Sequence, residues 1–123
     1  MPDSNVSHDA VVLALPADLI FGARIRASAQ QAGVAVVVAK NPEDLLQKLR
    51  DSQVRLIILD LDRRGLAITD VIQRVKAIST APILAYVSHV QEAAIREAQA
   101  AGADKVIARG AFAKQLVDLL KIY

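Results

Sequence analysis

Short runs of consecutive apolar residues alternate along the chain with segments whose apolar residues recur every three or four positions, and the alternation is completed five times. The runs are Ala10 to Leu15, Val34 to Ala39, Leu56 to Leu59, Ile83 to Val87 and Lys105 to Ala108. Each is rich in β-branched residues or leucine and bounded by turn-forming residues, so all five read as buried strands. The segments between and after them, at about Asp18 to Ala32, Pro42 to Asp51, Thr69 to Ser79, Val90 to Ala101 and Ala111 to Leu120, read as helices. Leu45, Leu46 and Leu49 make one apolar stripe; Val71, Ile72, Val75 and Ile78 make another, and Phe112, Leu116, Leu119 and Leu120 a third. Parallel strands joined through helices by right-handed crossovers give a five-stranded, doubly wound parallel sheet with helices on both sides, built of alternating βα units.

The ends of these elements carry physical signals. Asn41 can cap orphan amides, Pro42 suits the first helical position, and Glu43 and Asp44 complement the helix dipole. Ser88-His89-Val90-Gln91 reads as a capping box, while Gly33 and Gly102 stand where left-handed residues end helices. Residues 10–123 are expected to form one domain after a disordered tail over 1–9, since 123 residues suffice for one good core and not for two.

Composition then removes whole classes of chemistry. Aromatic residues are only 3% of a chain that is 54% hydrophobic, so the interior is built from Val, Ile, Leu and Ala. Fifteen basic against 13 acidic residues, a formal charge of +2, gives no basic stripe for nucleic acid. The absence of cysteine excludes disulfides, thiolate metal sites and cysteine nucleophiles. No apolar run approaches the length of a membrane span, and the polar start does not read as a signal peptide, so a cytoplasmic location is expected.

The chemistry is concentrated at Leu56-Ile57-Ile58-Leu59-Asp60, where a bulky apolar run ends in a carboxylate. Open α/β sheets bind at the carboxyl ends of their strands. An unpartnered carboxylate is costly to desolvate, so Asp60 is expected at the rim of a cleft rather than inside the core.

Five βα units, Asp60 closing the third strand, Gly65 in the following loop, and Gly102-Ala103-Asp104 with a basic residue, Arg109, after the fifth strand together resemble the receiver domain of bacterial response regulators. The resemblance spans nearly the whole chain, implies the flavodoxin-like topology of that family, and puts Asp60 at the phosphoacceptor position. It also implies an acidic pair after the first strand that holds Mg²⁺ against the incoming phosphoryl group. Alignment back from Gly33 puts Pro16 and Ala17 at those two positions, with Asp18 adjacent, and Asp18 reads as a helix cap in preference to a metal ligand. The switch hydroxyl position falls on Val87, with Ser88 next to it, and the aromatic switch position falls on Val106. The family's lysine aligns with Arg109 and its following proline with Gly110. Arginine keeps the charge and adds a planar fork that can grip a carboxylate.

These departures make the chain resemble a degenerate receiver, with no catalytic residue, no metal site and no cofactor expected. The leading reading is a protein interaction module in signalling, held in one state by an Asp60 to Arg109 ion pair. The alternative is a working receiver phosphorylated on Asp60 by a histidine kinase, which alone requires Mg²⁺; a small ligand-binding protein or enzyme of the same architecture is disfavoured by the absence of a Gly-rich phosphate loop and a nucleophile-base pair. Partners are expected to be proteins, a histidine kinase or an output protein, with no nucleic acid and no membrane. The alanines of Val90 to Ala101, with Ile122 and Tyr123, suit either packing on the sheet or a homodimer through the fourth helix, fifth strand and fifth helix. Asp62 reads as a solvated loop charge, Arg63 and Arg64 as surface, His8 as part of the tail and His89 as a helix-start residue. Tyr86 reads as core unless its hydroxyl reaches the surface.

Overall fold

The computed structural model describes residues 10–88 and 91–123. Strands β1 (Val11–Leu15), β2 (Val36–Val38), β3 (Val54–Asp60), β4 (Ile83–Val87) and β5 (Lys105–Ala108) alternate with helices α1 (Leu19–Ala32), α2 (Pro42–Asp51), α3 (Ile68–Ile78), α4 (Glu92–Ala101) and α5 (Arg109–Ile122). The strands form one parallel sheet in the order β2-β1-β3-β4-β5, the flavodoxin-like doubly wound topology. Winding reverses between β1 and β3, so the carboxyl ends of those two strands lie side by side with Leu15 opposite Leu59. That is the switch point where such sheets build their sites.

Alternation along the strands divides the core in two. Ile57 and Leu59 of β3, with Leu13 and Leu15 of β1, face the cluster filled by the leucines of α2, Val71, Ile72 and Val75 of α3, and Ala98 of α4. Leu56 and Ile58, with Val12, Ala14 and Tyr86, face Phe21 and Ile25 of α1 and Phe112 and Leu116 of α5. Leu56, Ile57, Ile58 and Leu59 are wholly buried, each contributing about 1.5–3 kcal/mol relative to exposure.

The expectation that all five strands are buried fails at the two edges. β2 is half-buried throughout and β5 begins with an exposed Lys105, because each has a neighbour on one side only. Ile78, assigned to the buried stripe of α3, is 43% exposed in the helix's last turn. Asp18 and Asn41 cap α1 and α2 as expected, accepting from the amides of Phe21 and Asp44, and Gly33 and Gly102 end α1 and α4 at φ 76° and 117°. The largest difference is at α5, which starts on Arg109 directly after β5 instead of at Ala111, so Arg109 and Gly110 are helical. The tail with His8, together with His89 and Val90, lies outside the described residues.

Candidate functional site

Asp60 is the last residue of β3, opposite Tyr86 of β4, and it has no exposed surface. The expected position at a cleft rim is therefore wrong, and the reason is the number of donors that reach the carboxylate. Its Oδ2 accepts from the Ala17 amide at 3.1 Å and from Arg109 Nη2 at 2.7 Å, while its Oδ1 accepts from the Asp62 amide at 3.0 Å. A carboxylate can be taken out of water where charge-assisted hydrogen bonds replace its hydration.

Arg109 reaches Asp60 because α5 follows β5 without a loop, which places the side chain of its first residue over the carboxyl end of the sheet. The guanidinium rests on aromatic rings, 4.8 Å from the centroid of Phe21 and 5.6 Å from that of Tyr86. Beneath it Tyr86 stacks on Phe112 with centroids 4.2 Å apart, and Phe21 lies 4.9 Å from Tyr86. A chain with two Phe, two Tyr and no Trp thus gathers three of its four aromatic rings under one cation.

Two residues read as plain surface belong to the same assembly. Asp62 accepts from the Ser88 amide at 3.1 Å and from the Ser88 hydroxyl at 2.9 Å, and its carboxylate is 3.6 Å from Arg109 Nε, so the guanidinium lies between two acids. Ser88 spends its hydroxyl on Asp62 rather than in a capping box; α4 starts later, with Gln91 as its N-cap and no side-chain cap bond. Arg63 donates to the carbonyls of Pro16 at 2.7 Å and Lys40 at 2.6 Å, tying the β3–α3 loop to the ends of β1 and β2. Arg64 is exposed, as read. No local sequence pattern announces these contacts, which join residues 26 and 47 positions apart.

The magnesium ion implied by the resemblance does not fit this donor set. Pro16 and Ala17 carry no side-chain oxygen, Asp18 is engaged in capping α1, and the guanidinium stands where a cation would have to approach Asp60. Among the described residues no group of three or more His, Asp or Glu is arranged to hold a metal. Val87 is buried in the α2–α3–α4 side of the core and Val106 packs half-buried against it, so neither position presents a hydroxyl or a ring.

Tyr86 is fully buried, and among the described residues its hydroxyl has no partner within hydrogen-bond geometry. Burial first, and the Asp60 charge second, push the phenol far above its ordinary range, so it stays neutral. Tyr86→Phe keeps the stack and removes the orphaned group, and is expected to raise stability by about 1 kcal/mol in urea denaturation. Because the folded state holds the Tyr86 proton more tightly than the unfolded chain, the stability this contributes is present below pH about 10 and is lost above it. The phenylalanine variant should show a flatter alkaline limb. A loss of stability on this substitution would mean that the hydroxyl is bonded after all.

The family model for the response regulator receiver domain matches residues 18–121. None of the curated proteins matches the chain significantly. Among solved structures, a response regulator from Thermotoga maritima superposes with a TM-score of 0.78 at 19% identity, covering 93% of this chain and 96% of that one. The Vibrio cholerae chemotaxis protein CheY4 gives 0.77 at 20% identity, over 93% of this chain and 98% of that one. A Burkholderia pseudomallei response regulator, solved with a phosphorylated aspartic acid, a calcium ion and citrate, gives 0.78 at 21% identity, over 91% of this chain and 66% of that one.

Proposed function

The chain belongs to the response regulator receiver family, and from that membership we propose that it is a signalling interaction module held in one state by a permanent Asp60–Arg109 ion pair and not by Mg²⁺-dependent phosphorylation of Asp60. The observation that carries this reading is the 2.7 Å contact from Arg109 Nη2 to a carboxylate with no exposed surface. For Asp60 to attack a phosphoryl donor, one oxygen must face phosphorus in line while a cation neutralises the charge between them. Here Oδ2 is covered by Arg109 and the Ala17 amide, and Oδ1 by the Asp62 amide. The reaction would first have to break the ion pair, and it would then lack the acidic pair that seats the metal.

A module of this kind acts through its surfaces. The partner we propose is a protein, a kinase or an output protein, or a second copy meeting the α4–β5–α5 face, where Lys105 is exposed and Ile122 is 73% exposed.

Incubation with Mg²⁺ and acetyl phosphate followed by intact-mass measurement is expected to leave the mass unchanged, and Mg²⁺ with beryllofluoride is expected to leave the amide resonances of Asp60, Asp62 and Ala17 in place. A phosphoryl mass increment that disappears in Asp60→Ala would instead make the chain a working phosphoacceptor.

A further inference from the structure

Beside the Asp60 site a cavity of about 440 Å³ opens between the start of α1, the carboxyl ends of β1 and β2, and the β3–α3 loop. Pro16, Gly22, Val38 and Ala39 supply an apolar floor, and Arg26, Lys40 and Arg63 are the cations of its wall. The floor is close-packed at Gly22, where a Cβ would lie 3.3 Å from Pro16 Cγ, so the backbone itself forms the surface there. Leu19, 90% exposed, stands at the lip.

The charges of this cavity do not cancel. Among the described residues Arg26 and Lys40 make no ion pair; Asp44, the acid near Lys40, accepts from the Lys40 amide at 2.8 Å with one oxygen and from the Lys48 ammonium at 2.7 Å with the other. Asp18, the one acid in the lining, gives an oxygen to the Phe21 amide at 2.8 Å. Arg63 is held in place by two carbonyls, so its charge costs little further ordering when something binds. Pro16 and Ala17, standing where the family has acids, leave that positive excess uncompensated. An apolar floor of small-molecule dimensions beneath a few fixed polar groups is the usual make-up of a ligand site.

We propose that this cavity binds a small organic anion, an apolar body carrying one phosphate or carboxylate, with the body on Pro16, Gly22 and Val38 and the anionic head among Arg26, Lys40 and Arg63. The site is distinct from the ion pair, and binding is expected whether or not Asp60 accepts a phosphoryl group.

Amide chemical-shift titration of the full chain tests this with four probes: 1-naphthyl phosphate, 1-naphthoate, 1-naphthol and inorganic phosphate. At least one naphthyl anion is expected to shift the amides of Ala17, Gly22, Val38 and Lys40 saturably, and the tighter of the two identifies the head group. Inorganic phosphate and 1-naphthol, each carrying half of the recognised chemistry, are expected to bind at least about tenfold more weakly. Arg26→Glu with Lys40→Glu, both at exposed positions, is expected to weaken the anion by at least about tenfold while the thermal midpoint stays in place. The proposal is overturned if neither naphthyl anion moves those amides, if either half-probe binds as tightly as the whole, or if the folded double variant binds unchanged.

Discussion

Replacing Arg109 by alanine is expected to lower the free energy of unfolding by about 3–5 kcal/mol, more than replacing Asp60 does, although the two residues form one ion pair. The asymmetry follows from burial: the Arg109 side chain is 33% exposed and that of Asp60 is 0% exposed. Without Arg109 the carboxylate keeps the amides of Ala17 and Asp62 but loses its countercharge while still enclosed by the ends of the strands. Without Asp60 the guanidinium can turn toward solvent or toward Asp62, already 3.6 Å away, so Asp60→Ala is expected to cost only about 1–2 kcal/mol for the amides it orphans. The double variant should then lie close to Asp60→Ala alone, a coupling of roughly 3–5 kcal/mol, equal to the whole Arg109→Ala loss. Arg109→Lys keeps the charge but not the planar group that faces Asp60 while lying on Phe21 and Tyr86, and should fall between parent and alanine. Urea denaturation of the set, with m-values compared to verify that each unfolds in the same way, measures the cycle. Additive losses would sink the locked-pair reading, because the two groups would then be neighbours without being partners.

The architecture was legible from the chain because its strands are written as unbroken apolar runs and three of its helices carry clear stripes; β4, β5 and α2 match their sequence boundaries residue for residue. Ends were less legible where the signal is structural rather than chemical. Nothing in Ala108-Arg109-Gly110-Ala111 says that a strand passes straight into a helix, yet that junction is what carries Arg109 to Asp60. Of the contacts at the site, the Asp60–Arg109 pair was expected from the chain and is present at 2.7 Å, whereas those of Asp62 and Arg63 were not foreseen. Asp62 meets Ser88 across 26 residues and Arg63 meets Pro16 across 47, separations at which composition carries no information. Asp60 was placed at a rim because a carboxylate short of donors resists burial; the backbone amides of Ala17 and Asp62, which no sequence pattern announces, join Arg109 and let it be buried. The aromatic support was invisible for the same reason: Phe21, Tyr86 and Phe112 belong to α1, β4 and α5 and become neighbours only once the sheet has wound in both directions.

That support yields the second large effect. Phe112 is fully buried and lies nearly parallel to Tyr86, 4.2 Å between centroids at 13°, so Phe112→Ala removes a side chain from a site that the rigid sheet cannot collapse to fill. The expected loss is about 3–5 kcal/mol for transfer and cavity together, of which the ring-ring contact accounts for about 0.5–1.5 kcal/mol. Phe112→Leu restores most of the volume without the ring, and should recover all but about 1–2 kcal/mol. The consequence extends to the site through Tyr86, which stands between Phe112 and the guanidinium. With the lower ring gone, Tyr86 can tilt into the cavity and Arg109 loses part of the surface that holds it against Asp60. Phe112→Ala and Arg109→Ala should therefore cost less together than the sum of their separate losses, although Arg109 has no ring contact with Phe112. Equilibrium denaturation gives the energies, and the Arg109 Nε–H resonance reports the site directly: it should shift in Phe112→Ala and stay near its parental position in Phe112→Leu. An unchanged resonance in both, with strictly additive energies, would reduce the stack to ordinary core and leave the Asp60–Arg109 pair standing on its hydrogen bonds alone.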